Sequence, residues 1–188
     1  GGAVGDWGGS AWFTCFARAV RVATTAVMRG ESNVAAAMAV LPLIEVNQAY
    51  AAVTKDDDLF TEYVSFPGVP AEMKAYIARP KENKKYAAVV VIHENRGLND
   101  HIEDVARRAA KAGFLAIAPN ALGPIGGTPS NEDEARTKFQ ELKPENNLQN
   151  FINVFDYLKT RNDSNGNYGC VGFCWGGAMS NSLAVNVP

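Results

Sequence analysis

Residues 171–177 read Val171-Gly172-Phe173-Cys174-Trp175-Gly176-Gly177. A short β-prone run over 168–173 leads into G-x-C-x-G, and a helix is expected from Gly176 onward. Strand, sharp turn and helix with a nucleophilic side chain between two glycines make a nucleophile elbow, with cysteine where serine is usual. The spacing has a steric cause. Residue 174 must enter a strained backbone region for its side chain to stand above the sheet. Side chains two positions either way would collide with the turn, so 172 and 176 need glycine. The following helix aims its N–H groups at the sulfur, which favours thiolate and a developing oxyanion. The Trp175 N–H is one expected oxyanion donor. Cys170 falls within the buried strand and reads as inert core.

Working outward, the rest of 59–188 alternates strands and helices. Residues 86–92 (YAAVVVI) are continuously apolar and rich in β-branched side chains, the pattern of a strand buried on both faces. A helix is predicted next, capped by Asp100 with Glu103 three residues later and ended by Gly113. Residues 114–118 (FLAIA) form the next buried strand, closed by Pro119. After a Gly/Pro loop over 122–129, Ser130 with Asp133 opens a second helix to about Leu142. Pro144 stands in the first turn of a third, with Leu148, Phe151, Ile152, Phe155 and Leu158 as its buried stripe. Residues 162–167 read as a turn cluster around Asn165-Gly166. Upstream, 59–66 and 72–79 flank Pro67-Gly68-Val69-Pro70 and read as an antiparallel hairpin at a sheet edge. The expected fold class is α/β: an open, mostly parallel sheet with helices on both faces, as in the α/β-hydrolase fold.

Composition narrows the function. The chain has 188 residues, with eighteen basic and twenty acidic side chains and a net charge of -2. That is no footprint for a nucleic-acid partner. Three cysteines (Cys15, Cys170, Cys174) and two histidines (His93, His101) are too few for a disulfide scaffold or a His/Cys metal cluster, so neither metal nor cofactor is expected. No apolar run has the length of a membrane span.

Residues 1–51 differ in character from the remainder. They hold only six of the charged side chains and no lysine. An apolar block over 34–44 (VAAAMAVLPLI) follows several arginines and precedes Ala49-Tyr50-Ala51. That order predicts an export leader cleaved after Ala51, which implies an exported or periplasmic protein. The other reading is an N-terminal extension with a buried Ala-rich helix broken by Pro42, on a cytoplasmic protein. The N-terminal portion of the α/β domain is expected over 52–188.

The second informative run is Ile92-His93-Glu94-Asn95-Arg96-Gly97-Leu98-Asn99, at the carboxyl end of the first buried strand. Ligands of open α/β sheets bind above the carboxyl ends of strands, so this loop and Cys174 should face one crevice. Glu94 could accept or hold the thiol proton, or pair with Arg96 to shape the loop. His93 reads as a satisfied structural histidine, and His101 as solvated surface.

These two runs, with Ala118-Pro119-Asn120 between them, resemble the dienelactone hydrolase family, the carboxymethylenebutenolidases. The resemblance implies hydrolysis of a small-molecule ester or lactone through a cysteine nucleophile and a thioester. It makes Cys174 the nucleophile, Glu94 its acidic partner, and the N–H groups of Asn95 and Trp175 the oxyanion hole. Arg96 and Arg136 are the candidates for holding a substrate carboxylate. Asn120 stands where the family usually has Asp, which puts a loop interaction in question. Nucleophile, acid and histidine follow in that order in this fold, so the triad Asp and His are expected beyond residue 188. A non-catalytic lobe, or a subunit completed by another chain, is the competing reading. A redox role for Cys174 is a third.

Overall fold

A computed structural model describes residues 57–187. The expected leader over 1–51, its cleavage site and Cys15 all lie outside the described residues.

The continuous apolar run becomes β3 (Tyr86–Ile92), and its burial explains the absence of alternation. Ala88, Val90 and Ile92 enter one apolar layer, while Val89 and Val91 enter the other. Around it lie β1 (Leu59–Phe66), β2 (Met73–Pro80), β4 (Leu115–Asn120) and β5 (Ser164–Gly172), in the spatial order β1-β2-β4-β3-β5. β3 runs parallel to both β4 and β5, and β2 is antiparallel to β1 and β4. Four strands therefore share one direction and only β2 opposes them. The hairpin over 59–80 forms as the Pro/Gly turn requires.

Helices cover both faces. α1 (Asp100–Lys111) lays Ile102, Val105, Ala106, Ala109 and Ala110 on the face lined by Tyr76, Val89, Val91 and Ala116. α2 (Glu132–Phe139) is short and mostly exposed. α3 (Pro144–Thr160) and α4 (Trp175–Asn186) cover the opposite face. There Phe151, Val154, Phe155, Leu158, Met179 and Leu183 pack on Ile77, Val90, Ile92 and Ile117. In α3 the partly buried Leu148 and Ile152 flank the stripe, and Val154 takes the central place.

Several boundaries differ from expectation, each for a local reason. The N-cap of α1 is Asn99 rather than Asp100, its side-chain oxygen accepting from the Ile102 N–H at 3.1 Å. Asn131, not Ser130, caps α2, accepting from the Asp133 and Glu134 N–H groups, and α2 stops at Phe139. Pro119 does not close β4 but continues it to Asn120, paired with Ala75. Pairing of β4 with β3 stops at Ile117, so the missing N–H falls where the ladder is no longer two-sided. The Asn165-Gly166 cluster is not a free turn either. It bulges within β5, where Tyr86 pairs with Ser164 and Ala88 with Tyr168, and Gly166 takes φ 86°.

Candidate active site

β5 runs straight into the elbow. Phe173 donates its N–H to the Ile92 carbonyl at 3.1 Å, which keeps the strand against β3 to its last residue. The next residue is Cys174, with φ 53° and ψ -111°, the only non-glycine at positive φ among the described residues. A β-carbon there is sterically unfavourable, and such strain gathers at functional sites. The thiol is exposed and stands at the N-cap of the twelve-residue α4. Trp175 is the first helical residue, so its N–H has no intrahelical acceptor.

The flanking glycines answer to contact distances. A β-carbon at Gly172 would lie 1.9 Å from the Gly176 carbonyl oxygen, and one at Gly176 would lie 2.4 Å from the Ile92 oxygen and 2.7 Å from the His93 oxygen. These are backbone atoms that cannot step aside. The same numbers show how closely the elbow presses on the β3 exit loop.

That loop carries the other expected site residues. Glu94 is half-buried, and desolvation raises its carboxyl pKa above the usual value, opposed by Arg96 and reinforced by Glu132. Asn95 is exposed. Arg96 forms its ion pair with Glu132 at the start of α2, at 3.0 Å, rather than with Glu94. Arg136 is held by Asp133 on its own helix at 3.5 Å and is half-exposed. The geometry thus brings Glu94, Asn95 and Arg96 to the elbow's neighbour loop, and places Arg136 on α2 one turn after Glu132, the partner of Arg96.

Two residues outside the expected catalytic set organise the loop. Asn120, where the resemblance leads one to expect Asp, serves as an acceptor: its carbonyl oxygen accepts from the Leu122 N–H at 3.0 Å, the Thr128 hydroxyl at 3.1 Å and, at longer range, the Leu98 N–H at 3.4 Å. An amide oxygen suffices for all three. Replacing Asn120 by Ala should leave these groups without an acceptor and lower stability by about 2–4 kcal/mol. Asn120→Asp should stay within about 1 kcal/mol at neutral pH, because an accepting oxygen persists at the same place. Urea unfolding of the two variants checks this.

His93 is fully buried. Its Nε2 accepts the Ala121 N–H at 3.0 Å, and its Nδ1 lies 2.5 Å from the Glu94 carbonyl oxygen. The ring stacks on Trp175 with centroids 5.7 Å apart, and Phe139 meets both rings edge-on. Burial lowers the His93 pKa to about 4. The sign follows from linkage: the unfolded chain binds this proton below about pH 6.5 and the native protein does not. Stability carried by neutral His93 is complete above pH 6.5 and is lost progressively as pH falls towards 4, by about 3 kcal/mol. Wild type should therefore lose about 3 kcal/mol more than His93→Gln between pH 7 and pH 4, read by denaturant titration. His101 is half-buried rather than fully solvated, and desolvation lowers its pKa too. Cys170 packs beside the core, and desolvation pushes its thiol up to about 11, with Ser180 opposing.

Comparison with known proteins agrees with this architecture. The model of the dienelactone hydrolase family matches residues 73–188. A protein of Escherichia coli named as a hydrolase fragment is 44% identical over 115 residues, which are 58% of this chain and 98% of that protein. Another Escherichia coli protein, named as a carboxymethylenebutenolidase, is 31% identical over 140 residues, covering 72% of this chain and 51% of that one. A crystal structure named for a dienelactone hydrolase of Klebsiella pneumoniae superposes with a TM-score of 0.55 at 28% identity, over 63% of this chain and 51% of that one. The chain thus spans about half the length of the carboxymethylenebutenolidases it matches. With an α/β-hydrolase sheet and a strained cysteine elbow at the end of its fifth strand, the chain belongs to the dienelactone hydrolase family.

Proposed function

We propose that residues 57–187 supply the nucleophile and oxyanion side of a hydrolase acting on a small-molecule ester or lactone. The single observation that carries the reading is the backbone of Cys174: φ 53° at an exposed thiol on a helix N-terminus. Nothing in packing alone calls for a strained non-glycine residue there.

In this reading the Cys174 sulfur, as thiolate, attacks the carbonyl carbon. The N–H groups of Asn95 and Trp175 receive the charge that develops on the carbonyl oxygen. Collapse breaks the bond to the leaving oxygen, which takes a proton, and leaves a thioester on Cys174. Attack by water on that thioester releases the acid and restores the thiol. Glu94, at the exit of the neighbouring strand, holds or receives the thiol proton, since burial keeps its carboxyl more basic than usual.

The histidines of the chain do not serve as base. Both ring nitrogens of His93 are occupied by backbone groups, and His101 lies on α1, on the face away from α4. Neither histidine of the chain is then available to activate the water that attacks the thioester. Residues 1–188 are expected to acylate once with an activated aryl ester and then stall. A stopped-flow burst near one equivalent, with the acyl mass on the Cys174 peptide, supports the reading. Steady multiple turnover without an acyl adduct would reject it.

A further inference from the structure

The exit loop of β3 supplies Asn95, but an N–H contributes to an oxyanion hole only if its peptide plane is fixed. The structure shows what fixes it. Ala121 can only donate its backbone N–H, so the His93 Nε2 that receives it carries no proton. The Glu94 carbonyl can only accept, so Nδ1 must donate to it. One tautomer, Nδ1–H, satisfies both backbone partners, and the ring is wholly inside the protein.

The Glu94 carbonyl belongs to the same peptide unit as the Asn95 N–H. In a trans peptide those two groups point in opposite directions. Tying the oxygen to a buried imidazole turns the Asn95 N–H away from the ring. The ring face meanwhile stacks on Trp175 at 17° between planes, and Phe139 and Phe151 box the indole from other sides. Trp175 carries the other expected donor. One imidazole thus contacts both halves of the hole, which come from elements about eighty residues apart in sequence.

We propose that His93 is a positioning residue for the oxyanion hole: its Nδ1–H orients the Glu94–Asn95 peptide while its ring seats Trp175. The proposal rests on the reading of Cys174 as an acyl-accepting nucleophile. It deepens that reading by naming what holds the hole in shape. The buried, neutral state of the ring is consistent with it, because a protonated Nε2 would face the Ala121 N–H donor to donor.

The test separates two reactions of the same thiol. Acylation by p-nitrophenyl acetate passes through an oxyanion; alkylation by iodoacetamide does not. Their rate ratio at Cys174 cancels thiolate fraction and access, which a merely structural lesion would alter in both. His93→Leu removes both hydrogen bonds and should lower the ratio about 10²-fold, the loss expected for one oxyanion donor. His93→Gln keeps an amide donor and acceptor side by side and should hold the ratio within about fivefold of wild type. An unchanged ratio in His93→Leu, or a fall in His93→Gln as deep as in His93→Leu, would overturn the proposal. Should His93→Leu not fold, ¹⁵N spectra of the wild-type imidazole decide. Protonated Nδ1 and bare Nε2 are expected, and a protonated Nε2 or rapid tautomer exchange overturns it. Folded wild type that alkylates at Cys174 but never acylates would instead overturn the nucleophile reading, and this proposal with it.

Discussion

Gly172→Ala is expected to destroy the elbow outright. The new methyl would sit 1.9 Å from the Gly176 carbonyl oxygen, 2.1 Å from its carbon and 2.7 Å from the Gly177 nitrogen. Side-chain clashes relax by changing rotamer; these atoms are backbone, at the first turn of α4, and Gly176 is itself wedged against Ile92 and His93. Relief requires α4 to lift off the sheet, taking Met179 and Leu183 out of the core they share with Phe151 and Ile92. Losing two such side chains would exceed about 4 kcal/mol, beyond the range of ordinary overpacking. The measurement is thermal unfolding by circular dichroism. A fall in Tm of more than about 10 °C, or no folded protein, is expected for a domain of this size. Gly169→Ala in the same strand is the control, since its β-carbon would meet nothing within 4 Å.

The second large effect is chemical. Cys174→Ala should abolish covalent capture of an activated ester while leaving the Tm near that of wild type. It should even relieve nothing of the strain, because alanine keeps the β-carbon at φ 53°. Glu94→Gln should fold normally and acylate about 10²–10⁴-fold more slowly, the range of a lost proton-handling group. If Glu94 acted only as a charged neighbour of Arg96, whose ion pair is with Glu132, the rate would scarcely change. Single-turnover rates with p-nitrophenyl acetate separate the two.

How much of this was legible in the sequence depends on the range of the interaction. β3 could be read to the residue because seven consecutive apolar side chains admit only a two-sided burial. The elbow was legible because its constraints are local: Gly172 and Gly176 exclude β-carbons from a turn only five residues long. Boundaries set by competition between neighbours were not. Asp100 and Ser130 are good caps by type, yet Asn99 and Asn131 stand where the amide oxygen reaches the first-turn N–H groups. Asn165-Gly166 has turn chemistry, but register with β3 absorbs it as a bulge. The supporting contacts were least legible. His93 to Trp175 and Arg96 to Glu132 join distant segments, and neither residue type reveals its partner before the sheet is assembled. Asn120 is a further case: its oxygen gathers the Leu122 N–H and the Thr128 hydroxyl, contacts that its residue type alone does not reveal.

On the proposed reading, the elbow makes Cys174 the reactive thiol among the described residues. Pulse alkylation of the folded protein with iodoacetamide at pH 7, followed by peptide mapping, tests it directly. Cys170 lies only four residues away, so local sequence is nearly matched, but its thiol is pushed up to about 11 by burial whereas Cys174 is exposed. A thiol at that value is ionised to roughly one part in 10⁴ at neutral pH, and burial also keeps the reagent from it. Cys174 should label at least about 100-fold faster than Cys170 in the native protein, with the difference collapsing in urea. Comparable rates at the two cysteines in folded protein would contradict the account.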